Sequence, residues 1–330
     1  MQNGLTKLNL NIFFVLITFL ISTALCFSQD KVEFANRNTI SIIKSFMDET
    51  NRGVVIENPE NFIYLSRNRN VIGVCYLKPR PLYPKTQTIE FYPENINEHM
   101  AEKLYSKLQE SNPNKTYRIF VNKNDYRKQQ IAESLGFVPF RTTYIGKVDL
   151  LNVNKSIFFE SYNKVVERGF KVLMLDSTPE RGDLISLSNA HLKYYNSTHQ
   201  INPPDLERPA AFWNEMFLGE DLVTEGMFYI IDKNDNIVSF SSIRNPIGRP
   251  KEWGWFGSLP EKVAIQDAEL FNLALKYVEF GFAEKIGVSE LYFEIDSTDW
   301  QAFQLLNHLP FEVEEIYLTY QTGIPNNNDN

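Results

Sequence analysis

The chain has 330 residues, of which 43% are hydrophobic and 22% charged, with a formal net charge of −8. That length holds two domains of ordinary size, each able to bury its own core, and the acidic balance argues against a nucleic-acid surface, which needs clustered Lys and Arg. The two cysteines, Cys26 and Cys75, and the four histidines, His99, His191, His199 and His308, show no ligand spacing, so neither an internal disulfide nor a metal site is expected and each histidine reads as a surface or packing residue.

From Leu8 to Gln29 there is no charge, and Ile12 to Ile21 is strongly apolar behind Lys7. With Cys26 and Ser28 as small residues before a cut at Gln29, residues 1–28 read as a signal peptide that sends the protein out of the cell or to the periplasm. An uncleaved membrane anchor is the alternative, since about 20 apolar residues span a bilayer; a misassigned start codon would leave the protein cytoplasmic. Residues 30–50 follow with helical spacing at Ile40, Ile42, Ile43 and Phe46. A hairpin over 63–77 turns at Ser66 to Asn70, and Pro79, Pro81 and Pro84 end it. A strand at 88–92, a helix at 96–109, a strand at 117–121, a helix at 126–135 and a strand at 139–150 complete a first domain over 29–150.

A linking helix over 152–169 opens the second domain, 151–322. It continues with a strand at 171–175, a helix at 183–196, a Pro-rich loop at 201–208, a helix at 210–217 and a second hairpin. Then come a strand at 253–257, a helix at 268–285, a strand at 291–295, a helix at 298–307 and a strand at 313–320. The polar tail 323–330 reads as disordered.

The two halves repeat. Asn61 to Leu65, a turn ending in Asn70, and Val71 to Gly73 recur as Met227 to Ile231, a turn ending in Asn236, and Ile237 to Ser239. Pro93-Glu94 with Ala101-Glu102 recurs as Pro260-Glu261 with Ala268-Glu269, and Asp125 to Gly136-Phe137 recurs as Asp299 to Pro310-Phe311. Marks that recur in one order along both halves argue for duplication.

A hairpin, a third strand leading into a long helix, a fourth strand and a shorter helix ending in Gly-Phe resembles the GNAT family, the acetyl-coenzyme A dependent N-acyltransferases. The carriers are Asn124-Asp125 through Gly136-Phe137, Phe282-Ala283 through Gly287, Leu291 to Asp296, and Asp299-Trp300-Gln301-Ala302 through Pro310-Phe311. The resemblance implies an α/β fold with an α+β mixed sheet: two tandem GNAT-like acyl-CoA N-acyltransferase units, in the arrangement of mycothiol synthase-type proteins. It further implies acetyl-CoA or another acyl-CoA as co-substrate and a small-molecule or peptide amine as acceptor.

By the same resemblance, the splayed strand offers the backbone of Phe256, Gly257 and Ser258 to pantetheine, as an added strand would. A glycine loop before the long helix closes on the diphosphate. Its positions fall on Val263, Gln266 and Ala268 in the second half and on Ile96, His99 and Ala101 in the first, so neither half keeps the glycines. Lys262 and Gln266 are the residues placed to meet phosphate.

The family's acid, a tyrosine, is replaced by Leu306 and Ala132. Glu252 stands where a base often sits and Glu294 shares a strand face with Asp296, so both are candidates to deprotonate or hold the amine. Tyr317 and Tyr320, on opposite faces of the last strand, are candidate acids. Trp253 and Trp255 read as an apolar wall or as core. The alternative to transfer is a catalytically degenerate GNAT-like binding protein outside the cytosol.

Overall fold

The computed structural model of the protein describes residues 30–50, 58–78, 86–175, 181–200, 212, 215, 222–245, 248 and 250–323. The expected signal peptide, the Pro-rich loop, most of the helix at 210–217 and most of the tail lie outside them. In chain order the elements are β1 (Lys31–Phe34), α1 (Ile40–Thr50), β2 (Phe62–Arg67), β3 (Asn70–Lys78), β4 (Thr86–Tyr92), α2 (Glu98–Ser111), β5 (Thr116–Asn122), α3 (Tyr126–Ser134) and β6 (Val138–Asp149). There follow α4 (Lys155–Glu167), β7 (Lys171–Met174), α5 (Arg181–Thr198), β8 (Leu222–Ile231), β9 (Ile237–Arg244), β10 (Glu252–Trp253), β11 (Gly257–Ser258), α6 (Ile265–Lys285), β12 (Glu290–Asp296), α7 (Trp300–Leu306) and β13 (Phe311–Gln321).

These elements form two compact units. The first takes residues up to 120, 126–138 and those from 320; the second takes 121–125 and 139–319. The expected boundary after residue 150 falls behind β6, which pairs antiparallel with β12 from Asp149↔Glu290 to Thr143↔Asp296 and so builds the second unit's sheet.

In the first unit the strands run β1-β2-β3-β4-β5. All neighbours are antiparallel except β4 and β5, which are parallel from Thr86↔Thr116 to Thr88↔Arg118. The β2–β3 turn places Asn68 and Arg69 at φ 53° and 67°, the left-handed pair that a tight hairpin needs. Residues 30–50, which read as one helix, hold β1 first: its backbone finds a partner in β2, from Lys31↔Ser66 to Phe34↔Ile63. The Asn36 N–H donates to Thr39 Oγ1 at 2.9 Å and starts the turn into α1.

α2 is capped by Asn97, whose side chain accepts from Met100 N–H, and buries Ala101, Leu104, Tyr105 and Leu108 at helical spacing. The end of the chain closes this unit. Thr322 N–H donates to Tyr117 O at 3.0 Å. Arg118, 2% exposed, donates through Nε to Gln321 Oε1 at 2.7 Å.

In the second unit the strands run β13-β6-β12-β10-β9-β8-β7, with β11 held on β9. α6 lies against β8 and β9 and buries Phe271, Leu275 and Phe280 among its inward residues. α4 packs on α6 through Phe158 and Phe280, whose ring centres are 5.5 Å apart. The expected strand over 253–257 is two short strands, because Gly254 N–H donates to Ser242 O at 2.7 Å and Ser242 Oγ to Trp255 O at 3.1 Å, bulging the chain between them.

Candidate functional site

β10 and β12 are parallel neighbours at one residue pair, Glu252↔Tyr292. Beyond it β11 pairs with β9 alone, through Gly257↔Phe240 and Ser258↔Ser239. A split therefore opens between 253–258 and 293–296, at the C-terminal ends of the strands, where open α/β sheets place their ligands.

The side chain of Gln301, on α7 and 1% exposed, bridges this split. Ser258 N–H donates to Gln301 Oε1 at 2.8 Å and Gln301 Nε2 donates to Ser258 O at 2.9 Å. One carboxamide thus pairs with both backbone groups of Ser258, as a residue of a neighbouring strand would. Asn272 Nδ2 donates to the same Oε1 at 2.8 Å, and Ser258 Oγ reaches Asn272 Oδ1 at 3.2 Å. Gly257 sits against Tyr194 of α5: a Cβ there would lie 2.4 Å from the ring, so only glycine lets the two meet.

Beside this network Lys276 Nζ lies 2.7 Å from Ser241 Oγ and 2.6 Å from Glu279 Oε2, and 4.1 Å above the Trp253 ring. Ser241 also donates to Glu279. Burial drives Lys276 down to about 7 against the pull of Glu279, and burial drives Glu279 up. With both side chains fully enclosed, the trio is an interior support and offers a ligand no entry.

At the mouth of the split two aspartates stand in contrasting surroundings. Asp296 receives Thr143 Oγ1 at 2.6 Å and Arg141 Nη1 at 2.8 Å, with His199 Nε2 at 3.5 Å. Burial opposes its charge, but His199, Arg141 and Thr143 outweigh it and hold the carboxyl below its usual range. Asp299 caps α7 through Ala302 N–H at 3.1 Å and accepts the Tyr194 hydroxyl at 2.6 Å, both on Oδ1. Burial lifts it to about 6, with those two bonds offsetting only part of the effect. The same closeness pushes the Tyr194 phenol well above its usual value, burial first and the Asp299 charge next. Asp296 is thus paired with the Arg141 guanidinium, whereas Asp299 forms no ion pair among the described residues. Tyr195 stacks on His199 at 3.8 Å and tilts against Trp255 at 4.8 Å, an aromatic wall beside the pair.

The sequence candidates are scattered around this centre. Glu252 is half-buried at the closed end of the split, and Glu294 is exposed on the face of β12 that also carries Asp296. Tyr317 donates to Glu315, while Tyr320 belongs to the other unit and donates to Glu133 at 3.2 Å, its phenol pushed up to about 12 chiefly by burial. Phe256 is stacked on Trp253 at 4.8 Å. Lys262 and Gln266 are exposed, whereas Val263 and Ala268 are buried in the core under β8. Tyr194, His199, Asp299 and Gln301 were not among the candidates; the one signal for them is Asp299 as a helix-capping residue behind a strand end.

The resemblance implies an acyl-CoA, which needs free backbone at Phe256 to Ser258 and bare amides at the start of α6. Ser258 has both groups bonded to Gln301, and Asp267 puts a carboxylate in the first turn of α6, where it pairs with Arg168 at 2.8 Å. A negative charge at that helix end competes with a diphosphate for the same amides and dipole. In the first unit Asn97 caps α2 and Glu98 occupies its first turn. The residues, as placed, do not fit the cofactor.

No model of a known protein family matches the chain, and no curated protein matches it. Solved structures do. A GCN5-related N-acetyltransferase of Sphaerobacter thermophilus superposes with a TM-score of 0.55 at 10% identity, over 89% of this chain and 95% of that one. A tandem GNAT protein from the clavulanic acid biosynthesis pathway gives 0.50 at 11% identity, over 89% and 98%. A GCN5-related glucosamine N-acetyltransferase region of a fungal multi-domain GH3 β-N-acetylglucosaminidase gives 0.59 at 8% identity, over 89% of this chain and 38% of that one. At these identities the likeness is one of fold, and the fold of this protein is the GNAT N-acyltransferase fold in tandem.

Proposed function

We propose that the protein is a binding protein on the tandem GNAT fold, which holds an amine at Asp299 of its second unit and transfers no acyl group from coenzyme A there. The observation that carries this reading is Gln301, which takes both backbone groups of Ser258 that a pantetheine arm would need. Asp299 supplies the ligand chemistry: its carboxyl accepts from a phenol and one amide and forms no ion pair among the described residues, and an ammonium group would supply one. The signal-peptide reading of residues 1–28 supports the same proposal, since coenzyme A thioesters belong to the cytosol.

A second reading has Asp299 in its favour. A carboxyl that titrates at about 6 lies in the working range of a general base. If the Gln301 side chain swung off Ser258, the Ser258 backbone would be free to hold a pantetheine arm, and Asp299 would be placed to take the proton of a bound ammonium.

Thermal unfolding of the full chain with acetyl-CoA and with ethanolamine separates the two. A ligand at 100 times its dissociation constant stabilises by about 2.7 kcal/mol. The binding reading expects no response to acetyl-CoA and a saturable response to the amine that Asp299→Asn removes. A saturable response to acetyl-CoA, with thiol release when the amine is added, establishes transfer instead.

A further inference from the structure

We propose that the second unit carries a binding site for a single-chain amphiphile with an anionic head, in the cavity between α6 and the edge strand β7. The cavity has a volume of about 510 Å³, within the range of small-molecule sites. Val172, Leu173 and Met174 of β7 line one side, and Phe228, Tyr277 and Phe282 are among the residues opposite. Met174 is 49% exposed. Scattered apolar residues on a surface are ordinary, but these converge on one hollow.

Gly281, exposed and inside a helix of 21 residues, also lines the cavity. Glycine is the least favourable helix residue after proline, and close packing does not call for it here: a Cβ at Gly281 would meet no atom within 4 Å. Its consequence is open space. One turn further on, Lys285 stands at the rim without an ion pair among the described residues, while Lys155, on the same rim, is already paired with Glu284. An apolar trough that ends at an unpaired ammonium suits an alkyl chain that ends in a carboxylate.

The test is calorimetric titration of the full chain with decanoate, below the concentration at which it forms micelles, and with the neutral decanol. Saturable binding of decanoate is expected. Gly281→Leu, which fills the trough, should weaken it at least about tenfold while leaving the melting temperature unchanged or higher, because leucine favours a helix. Lys285→Glu should weaken decanoate but leave decanol unaffected. The proposal is overturned if the wild type shows no saturable binding or if Gly281→Leu binds decanoate as well as the wild type does. It is equally overturned if sedimentation shows a dimer that Gly281→Leu dissociates, since the cavity is then the seat of a second copy.

Discussion

The two units share an apolar helix face but part at its polar positions: Tyr105 of α2 stands where α6 has Asn272, and the buried Lys276 and Glu279 of α6 fall against Gln109 and Asn112, which are exposed. α2 of the first unit turns Ala101, Leu104, Tyr105 and Leu108 inward, and Tyr105 meets Tyr117 edge-on at 5.9 Å and Phe137 at 5.1 Å. α6 of the second unit turns Asn272, Lys276 and Glu279 inward beside its apolar residues. A buried polar network loses stability wherever a member goes unbonded, and here Glu279 Oε1 has no hydrogen-bond partner among the described residues. The helix that follows differs in the same way. Two residues past the capping position, Gln301 is buried in the second unit and Arg127 is exposed in the first. One duplicated scaffold thus has a network of hydrogen bonds where its split opens in one copy and plain packing in the other.

The largest expected effect breaks that network at its charged pair. Lys276→Met strands Glu279 in the interior and should cost about 3–5 kcal/mol, read from the denaturant midpoint, whereas Lys276→Met with Glu279→Leu should be close to neutral or stabilising. If the single and double variants unfold alike, the pair is not coupled as described.

Gln301→Ala comes next. It leaves Ser258 N–H, Ser258 O and Asn272 Nδ2 without these partners and should cost about 2–4 kcal/mol. Arg127→Ala, its counterpart in the first unit, should change stability by less than about 0.5 kcal/mol. Equal losses would erase the contrast between the units.

Asp299→Asn should act in the opposite direction. The folded carboxyl titrates at about 6 against an ordinary 3.8, so the folded state holds its proton more tightly than the unfolded state does. Its contribution to stability is complete at low pH and is lost as pH rises from near 3.8 to about 6. Asparagine keeps the helix cap and has no charge to bury. The variant should therefore gain about 2–3 kcal/mol at pH 7 and show a flatter stability profile over that window, while losing the amine response. An unchanged profile would show that Asp299 titrates like a surface carboxylate.

The smallest effect concerns Gln109, exposed on α2 and bonded to the Tyr105 hydroxyl at 3.1 Å. Gln109→Ala should cost no more than about 0.5 kcal/mol, measured by the same unfolding midpoint.

Much of the scaffold is legible in the sequence because it is written locally. The hairpins at 63–77 and 227–239, the Pro-Glu steps and the X-Phe helix ends are short-range signals: the hairpins fall on β2–β3 and β8–β9, the Pro-Glu steps on the turns before α2 and α6, and the X-Phe steps between α3 and β6 and at the start of β13. β1 was hidden because its residues acquire strand character only through pairing with β2, next to a segment with real helical periodicity. The break between β10 and β11 depends on Ser242, a residue of another strand.

The site is less legible for the same reason. Tyr194 and Asp299 meet across 105 residues and Gln301 and Ser258 across 43, distances at which periodicity carries no information. His199 reads as a packing residue from spacing alone, yet it faces Asp296. The departures at Gln266, where the resemblance implies a glycine, and at Val263, where it implies Arg or Gln, are legible in the sequence, and they point to the altered groove more directly than any candidate base or acid does.

In the resting protein Gln301 closes on Ser258. Amide hydrogen exchange at Ser258 tests this most directly. Exchange should be slow, comparable to the paired residues of β9 and β12, unaffected by acetyl-CoA and greatly accelerated in Gln301→Ala. Fast exchange at Ser258 in the wild type that acetyl-CoA then slows would contradict it, because the groove would be open and the cofactor would be its occupant.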